Sequence, residues 1–190
     1  VGTFAGISWL IVQPLVLITV YWVVFSLGFR AMGPAGTPFL VYFLPAFVAW
    51  YMFNETIISS QTCILNNPHL VKNIVFPTQF LPIVHLFSAL FIHCIMLLIC
   101  ILFLVGHGYV PSVENIFLLV YFLIAQAILA LGISWLTSAL NLFFRDVSQI
   151  MSVLMNVWFW ATPIVWPLTL LGNSHQYLLN FNPIFYIVEG

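Results

Sequence analysis

Long apolar stretches with almost no charge between them set the limits on what this chain can fold into. Its only formal charges are Arg30, Glu55, Lys72, Glu114, Arg145, Asp146 and Glu189, in 190 residues. Charged residues make up 4% of the chain and hydrophobic ones 64%, whereas a soluble domain carries about 25% charge. So few charges cannot coat a soluble globule of this size, whose outside would be mostly bare hydrocarbon. A soluble domain, a disordered chain and a collagen-like fibre are therefore excluded. A nucleic-acid surface is excluded too, because phosphate neutralisation needs clustered cations and Lys and Arg total 3. The solvent for this chain is lipid. The apolar runs lack the period-2 alternation of a barrel strand, so the sequence predicts an all-α integral membrane protein.

A helix needs about 20 mostly apolar residues to cross about 30 Å of hydrocarbon. Charges and Gly/Pro clusters cut the chain into five such stretches, at about 7–28, 38–59, 82–105, 113–141 and 147–165. Arg30 and the turn Gly33-Pro34-Ala35-Gly36 end the first, and Gly106-His107-Gly108 ends the third. Ser112 is placed to cap the fourth, with Glu114 in its first turn, where the helix dipole favours an anion. Asp146-x-x-Gln149 has the form of a capping box for the fifth.

Residues 167–188 are apolar but broken by Pro167, Gly172 and Pro183. Its final apolar run, 176–188, holds 13 residues, too short to span, and reads as re-entrant. The expectation is two short helices in the outer leaflet meeting near Asn180–Pro183, with a plain surface loop as the alternative. All of 1–190 reads as one transmembrane domain. Its start at Val1 and its end at Gly190 without a polar tail read as a segment of a longer polypeptide. If residue 1 starts inside, Lys72 and Arg145 lie inside and Arg30 outside, two against one in the sense of the positive-inside rule.

The loop between the second and third stretches holds the most informative segment. Asn67 is a good N-cap and Pro68 a natural first helical residue. Leu70, Val71, Ile74 and Val75 share one helical face, with Lys72 and Asn73 elsewhere, and Pro77 forbids continuation. The prediction is a short amphipathic helix between two spans. It either rests on the lipid interface or docks, as a rigid lever, in a groove of a soluble partner. Arg145 and Asp146, in the second short loop on that side, are adjacent and point in different directions on any helix.

No catalytic constellation stands out. There is no GxxxxGK[ST] to cradle ATP phosphates and no paired carboxylates for glycoside chemistry. His85, His93, Cys94 and Met96 have poor spacing for a soft metal. Cys63, Cys94 and Cys100 read as small buried hydrophobes. Glu55 is the one acid inside a span and so a functional candidate, with a plain interface position near the inner end, or a pairing with Lys72 or Arg145, as the other reading. Aromatic residues are more suggestive. Trp50, Tyr51 and Phe53 in the second stretch, and Trp158, Phe159 and Trp160 in the fifth, offer flat rings with polar handles. Such rings suit the CH faces and hydroxyls of sugars and could line a path along which a long glycan slides. Ordinary helix packing or lipid contact is the other reading.

The run Asn67 to Pro82, NPHLVKNIVFPTQFLP, resembles the cytoplasmic loop of the permease subunit of type-2 ABC transporters, particularly bacterial exporters of O-antigen, capsule and teichoic acid. That family's N-x-x-L-(I/V)-K-x-x-x-F-P-x-x-x-L-P pattern is met by Asn67, Leu70, Val71, Lys72, Phe76, Pro77, Leu81 and Pro82. Arg145-Asp146 before the fifth stretch, Thr162-Pro163-Ile164-Val165-Trp166-Pro167, and Asn182-Pro183 followed by Glu189 also match. So does the opening Gly6-Ile7-Ser8-Trp9 with Gln13-Pro14.

The resemblance implies a six-span subunit, of which five lie here, working as a homodimer in a bacterial inner membrane. It implies a separate ATPase subunit that holds ATP and Mg, with no cofactor on this chain. Asn67, Pro68, His69, Leu70, Val71 and Lys72 would form the coupling helix that meets that ATPase, with Arg145 and Asp146 nearby. The implied cargo is a lipid-linked surface polysaccharide or teichoic acid. The rivals are a type-2 ABC permease for a drug or lipid and an integral membrane acyl- or glycosyltransferase. The latter would need acids or histidines clustered at one membrane face, and none is visible.

Overall fold

The computed structural model describes residues 6–69, 77–170 and 176–189. The amphipathic segment expected after Asn67 therefore lies, from Leu70 to Phe76, outside the described residues. Within them the chain is almost entirely helical, and its only extended pairing is an isolated bridge between Met32 and Pro38. The helices are α1 (Gly6–Tyr21), α2 (Phe39–Ser60), α3 (Phe80–Gly106), α4 (Val113–Phe143), α5 (Val147–Ala161) and α6 (Pro183–Glu189).

Four of the five expected stretches are helices long and apolar enough to cross a membrane: Ser8–Gly28, Phe39–Ser60, Phe80–Gly106 and Val113–Phe143. The first changes character along its length. After Tyr21 it widens into π-helical turns over Trp22–Gly28. It ends with Ala31 N–H donating to the Phe25 carbonyl (2.8 Å) and Arg30 in the left-handed region at φ 51°. A glycine is the usual occupant of that position.

The fifth stretch is shorter than expected. α5 has 15 residues, about 22 Å of helix against about 30 Å of hydrocarbon. It stops at Ala161 rather than near Val165 because Pro163 disfavours helical backbone at the residue before it. Thr162 accordingly turns extended, at φ −99° and ψ 138°. At the other end, Asp146 precedes α5 but its side chain makes no capping bond. Its carboxylate stays solvent-exposed and helps only through the helix dipole. Ser112, by contrast, caps α4 as expected, its Oγ accepting from the Asn115 N–H at 3.3 Å.

α2 is the hub. It packs most extensively on α3 and α4, and also meets α5, α6 and the π-helical turns. Its first half carries a ladder of rings at four-residue spacing, with Phe39–Phe43 and Phe43–Phe47 centroids both 5.1 Å apart. Phe25 and Tyr21 close on that ladder from the first span, at 5.4 Å from Phe39 and 5.2 Å from Phe43. α1 itself buries little beyond Pro14 and Ile18.

The start of α2 is tied down by Tyr42, whose hydroxyl lies 2.7 Å from the Pro163 carbonyl and 3.0 Å from that of Trp166. Gly33 packs directly beneath this residue. A Cβ there would stand 2.8 Å from Tyr42 Cβ and 2.5 Å from Thr37 Oγ1. Gly33→Ala should therefore displace the start of α2 and cost about 1–3 kcal/mol, read as a lower unfolding temperature in detergent. An unchanged temperature would show that the turn yields freely.

Candidate functional site

The aromatic residues divide into a packed cluster and an open face. Trp50 and Phe53 lie on one side of α2 and meet Trp158 of α5, with centroids 6.5 Å and 5.4 Å away and both pairs edge-on. Phe159 closes on Trp50 at 5.6 Å. Trp50 is 5% exposed and Phe53 0%, so both rings are covered by neighbouring helices rather than lying along an open path. Tyr51 is half-buried, and Trp160 is 54% exposed.

The cluster is locked from below by Asn182. Trp158 Nε1 donates to Asn182 Oδ1 at 2.8 Å, and Asn182 Nδ2 donates to Thr162 Oγ1 at 2.9 Å. Thr162 in turn donates to the Trp158 carbonyl at 2.8 Å. Asn182 Oδ1 also accepts from the Ile184 N–H at 3.1 Å. That is an N-cap bond, and Pro183 fits the first helical position because its missing N–H would be unpaired there anyway. One amide thus starts α6 and fastens it to the end of α5. Before it, Gln176–Phe181 forms a short 3-10 helix, so two short helices meet at Asn182.

α5 has a second face left exposed by the described residues. Gln149, Ser152, Asn156 and Trp160 recur along it at helical spacing and are all exposed, among bare Ile150, Val153 and Val157. The Ser152 hydroxyl and the Asn156 amide fall back on carbonyls one turn earlier, Ser148 and Ser152, both at 2.9 Å. Polar amides facing hydrocarbon are costly, so such a face suits a water-filled passage or a second protein surface.

At the opposite end of α5, Arg145 and Asp146 are exposed, in the short link from α4. The segment 61–69 approaches the same end of the bundle. Asn67 Nδ2 donates back to the Cys63 carbonyl at 2.8 Å, and Pro68 and His69 begin a helical turn. Lys72, Leu70 and Val71 lie outside the described residues. Cys63 is buried, and burial pushes its thiol above its ordinary value. Cys100 is buried too, but Cys94, expected to be buried, is exposed on α3.

The sequence reading missed a polar seam. Gln126, Ser134, Thr137, Ser138 and Asn141 of α4 are all buried, as are Thr56, Ser60 and Gln61 where α2 ends. Their spacing along α4 places them on one face, a pattern readable in an otherwise apolar helix. A cavity of about 620 Å³ lies between α2, α3 and α4, lined mainly by aliphatic residues with His93 and Gln126 among them. His93 Nδ1 lies 3.3 Å from the Val48 carbonyl, which accepts its N–H. Among the described residues no group of His, Cys, Asp and Glu gathers where a metal could sit.

The profile of the ABC-2 type transporter family matches residues 2–190. The chain belongs to the ABC-2 type transporter family. This permease is 28% identical over 184 residues to the O-antigen export system permease protein RfbA of Klebsiella pneumoniae, covering 96% of the chain and 70% of that protein. It is 26% identical over 185 residues to the protein of the same name from Myxococcus xanthus, again over 96% and 70%. Family and apolar helices together make the permease a multi-pass protein of the inner membrane.

Proposed function

We propose that this permease is the transmembrane subunit of an exporter for a lipid-linked surface polysaccharide, of the O-antigen, capsule or teichoic acid kind. A separate ATPase subunit binds ATP and Mg and supplies the work, and this chain binds no cofactor. A second copy completes the passage. Five spans cross the membrane here, the fifth being α5 with the turn that follows it up to 165. Asn67, Pro68, His69, Leu70, Val71 and Lys72 form the helix that meets the ATPase, beside Arg145 and Asp146. The end carrying them is cytoplasmic.

The observation that carries this reading is the exposed face of α5. Gln149, Ser152 and Asn156 give it amides and a hydroxyl, and Trp160 gives it a flat ring at one end. Hydroxyl-rich cargo is served by such a surface, because hydrogen bonds can be exchanged with water without tight binding at any point. Tyr51 and Trp160 are the accessible rings of the expected path, while Trp50, Phe53 and Trp158 hold the wall behind it. α1, nearly bare in this chain, supports a second copy as its neighbour.

The test is genetic. The protein and its ATPase are expressed in a strain whose own O-antigen permease is deleted, supplied with the matching glycan synthesis genes. Surface polysaccharide should return, and it should vanish when the ATPase is inactivated. Within that strain Ser152→Leu with Asn156→Leu should cut export about tenfold while the complex still assembles. No surface glycan from the unmodified protein would overturn the reading. Full export from the double variant would place the path on another face.

A further inference from the structure

The described residues on both sides of the cytoplasmic segment are held by one helix, and that helix is neither α2 nor α3. Where α2 ends, the buried Asn141 of α4 donates its Nδ2 to the Gln61 carbonyl at 2.9 Å. Where α3 is about to begin, Trp135 Nε1 of the same helix donates to the Gln79 carbonyl, also at 2.9 Å. Further along, Gln126 Nε2 reaches the Ala49 carbonyl at 2.6 Å. α4 is long for a span. Its 31 residues give about 46 Å, well beyond about 30 Å of hydrocarbon. It then passes through Phe144, Arg145 and Asp146 directly into α5.

The Asn141 clasp is also incomplete. Gln61 Nε2, a donor, and Asn141 Oδ1, an acceptor, are both buried without a hydrogen-bond partner. They belong to the two residues that already touch. An unmet buried donor or acceptor costs about 1–3 kcal/mol. A movement of α4 relative to α2 that joined them would satisfy both. Such a pairing would be a second arrangement of the clasp, which is what a two-state element requires.

We propose that α4 is the element that receives the ATPase stroke: Trp135 and Asn141 grip the two ends of segment 62–78, the Gln61–Asn141 clasp switches between its two pairings, and α4 passes the movement to the polar face of α5. This rests on the exporter reading above. The residues are positioning residues, since none touches cargo or nucleotide.

The experiment uses the full permease with its ATPase in lipid nanodiscs and, for transport, in liposomes loaded with lipid-linked O-antigen. Trp135→Phe keeps an aromatic ring and removes the donor. Gln61→Met keeps the shape and the present clasp but removes the second pairing. Both should give complex in wild-type yield and ATP hydrolysis within about twofold of wild type, while glycan moved per ATP falls about tenfold. Wild-type transport per ATP in both variants would overturn the proposal. So would a parallel loss of yield, hydrolysis and transport, which would make the residues merely structural. A wild-type complex that hydrolyses ATP and moves no glycan would instead overturn the exporter reading itself.

Discussion

Replacing Asn182 by Leu should release α6 from the end of α5 and expose the apolar tail. The substitution removes the acceptor for Trp158 Nε1 and the Ile184 N–H, and the donor to Thr162 Oγ1. Thr162 is buried, and Trp158 is half-buried, so both are left partly unsatisfied in a site that water does not easily reach. Each such loss costs about 1–3 kcal/mol, and the total should be on the order of 3 kcal/mol or more. The measurement is twofold. Unfolding temperature in detergent should drop. In a variant with the native cysteines replaced, a cysteine at Ile187 should change from protected to reactive toward an impermeant thiol reagent. Asn182→Asp keeps the acceptor and should fall between the two. An unchanged temperature and an unreactive Ile187 position would show that packing by Ile184 alone holds the tail.

The segment proposed to meet the ATPase should show the largest effect on transport. Leu70→Asp with Val71→Asp places two charges where two apolar anchors are proposed to enter the ATPase groove. Loss of a buried anchor and burial of an unpaired charge together cost several kcal/mol. ATPase stimulation by the permease should fall about a hundredfold, while membrane insertion stays intact. Equal co-purification and equal stimulation would mean that this segment lies on the lipid interface instead.

The spans were legible because lipid is an unforgiving filter. Arg30, Gly33 to Gly36, and Gly106 to Gly108 interrupt the apolar runs where the first span ends, α2 begins and α3 ends. The end of α5 was legible too, in Pro163, but the apolar residues beyond it drew the boundary outward. What hydropathy could not show is which way a ring points. In a membrane the core and the lipid are equally apolar, so Trp50 and Trp160 look alike in sequence. The structure separates them, one buried and one bare. Polar residues carry the direction that apolar ones lack. Gln126, Ser134 and Asn141 mark the inward face of α4, and Gln149, Ser152 and Asn156 the open face of α5.

Depth followed the same logic. Asn182 was visible as part of a motif, but its three partners come from α5, the turn after it and the first turn of α6. No local pattern joins residues twenty or more positions apart, as Trp158–Asn182 and Thr162–Asn182 are. The clasp between Gln61 and Asn141 is farther still, 80 residues apart in sequence.

The most direct test of the account is transport itself. The permease and its ATPase are reconstituted in liposomes carrying long-chain lipid-linked O-antigen in the leaflet that the ATPase faces. Appearance of glycan on the other leaflet is followed with a lectin that cannot cross the membrane. The account predicts transfer that requires ATP and Mg, stops when the ATPase is inactivated, and tolerates chains of many lengths. Transfer of a small drug or a bare phospholipid, with the glycan left where it began, would contradict it.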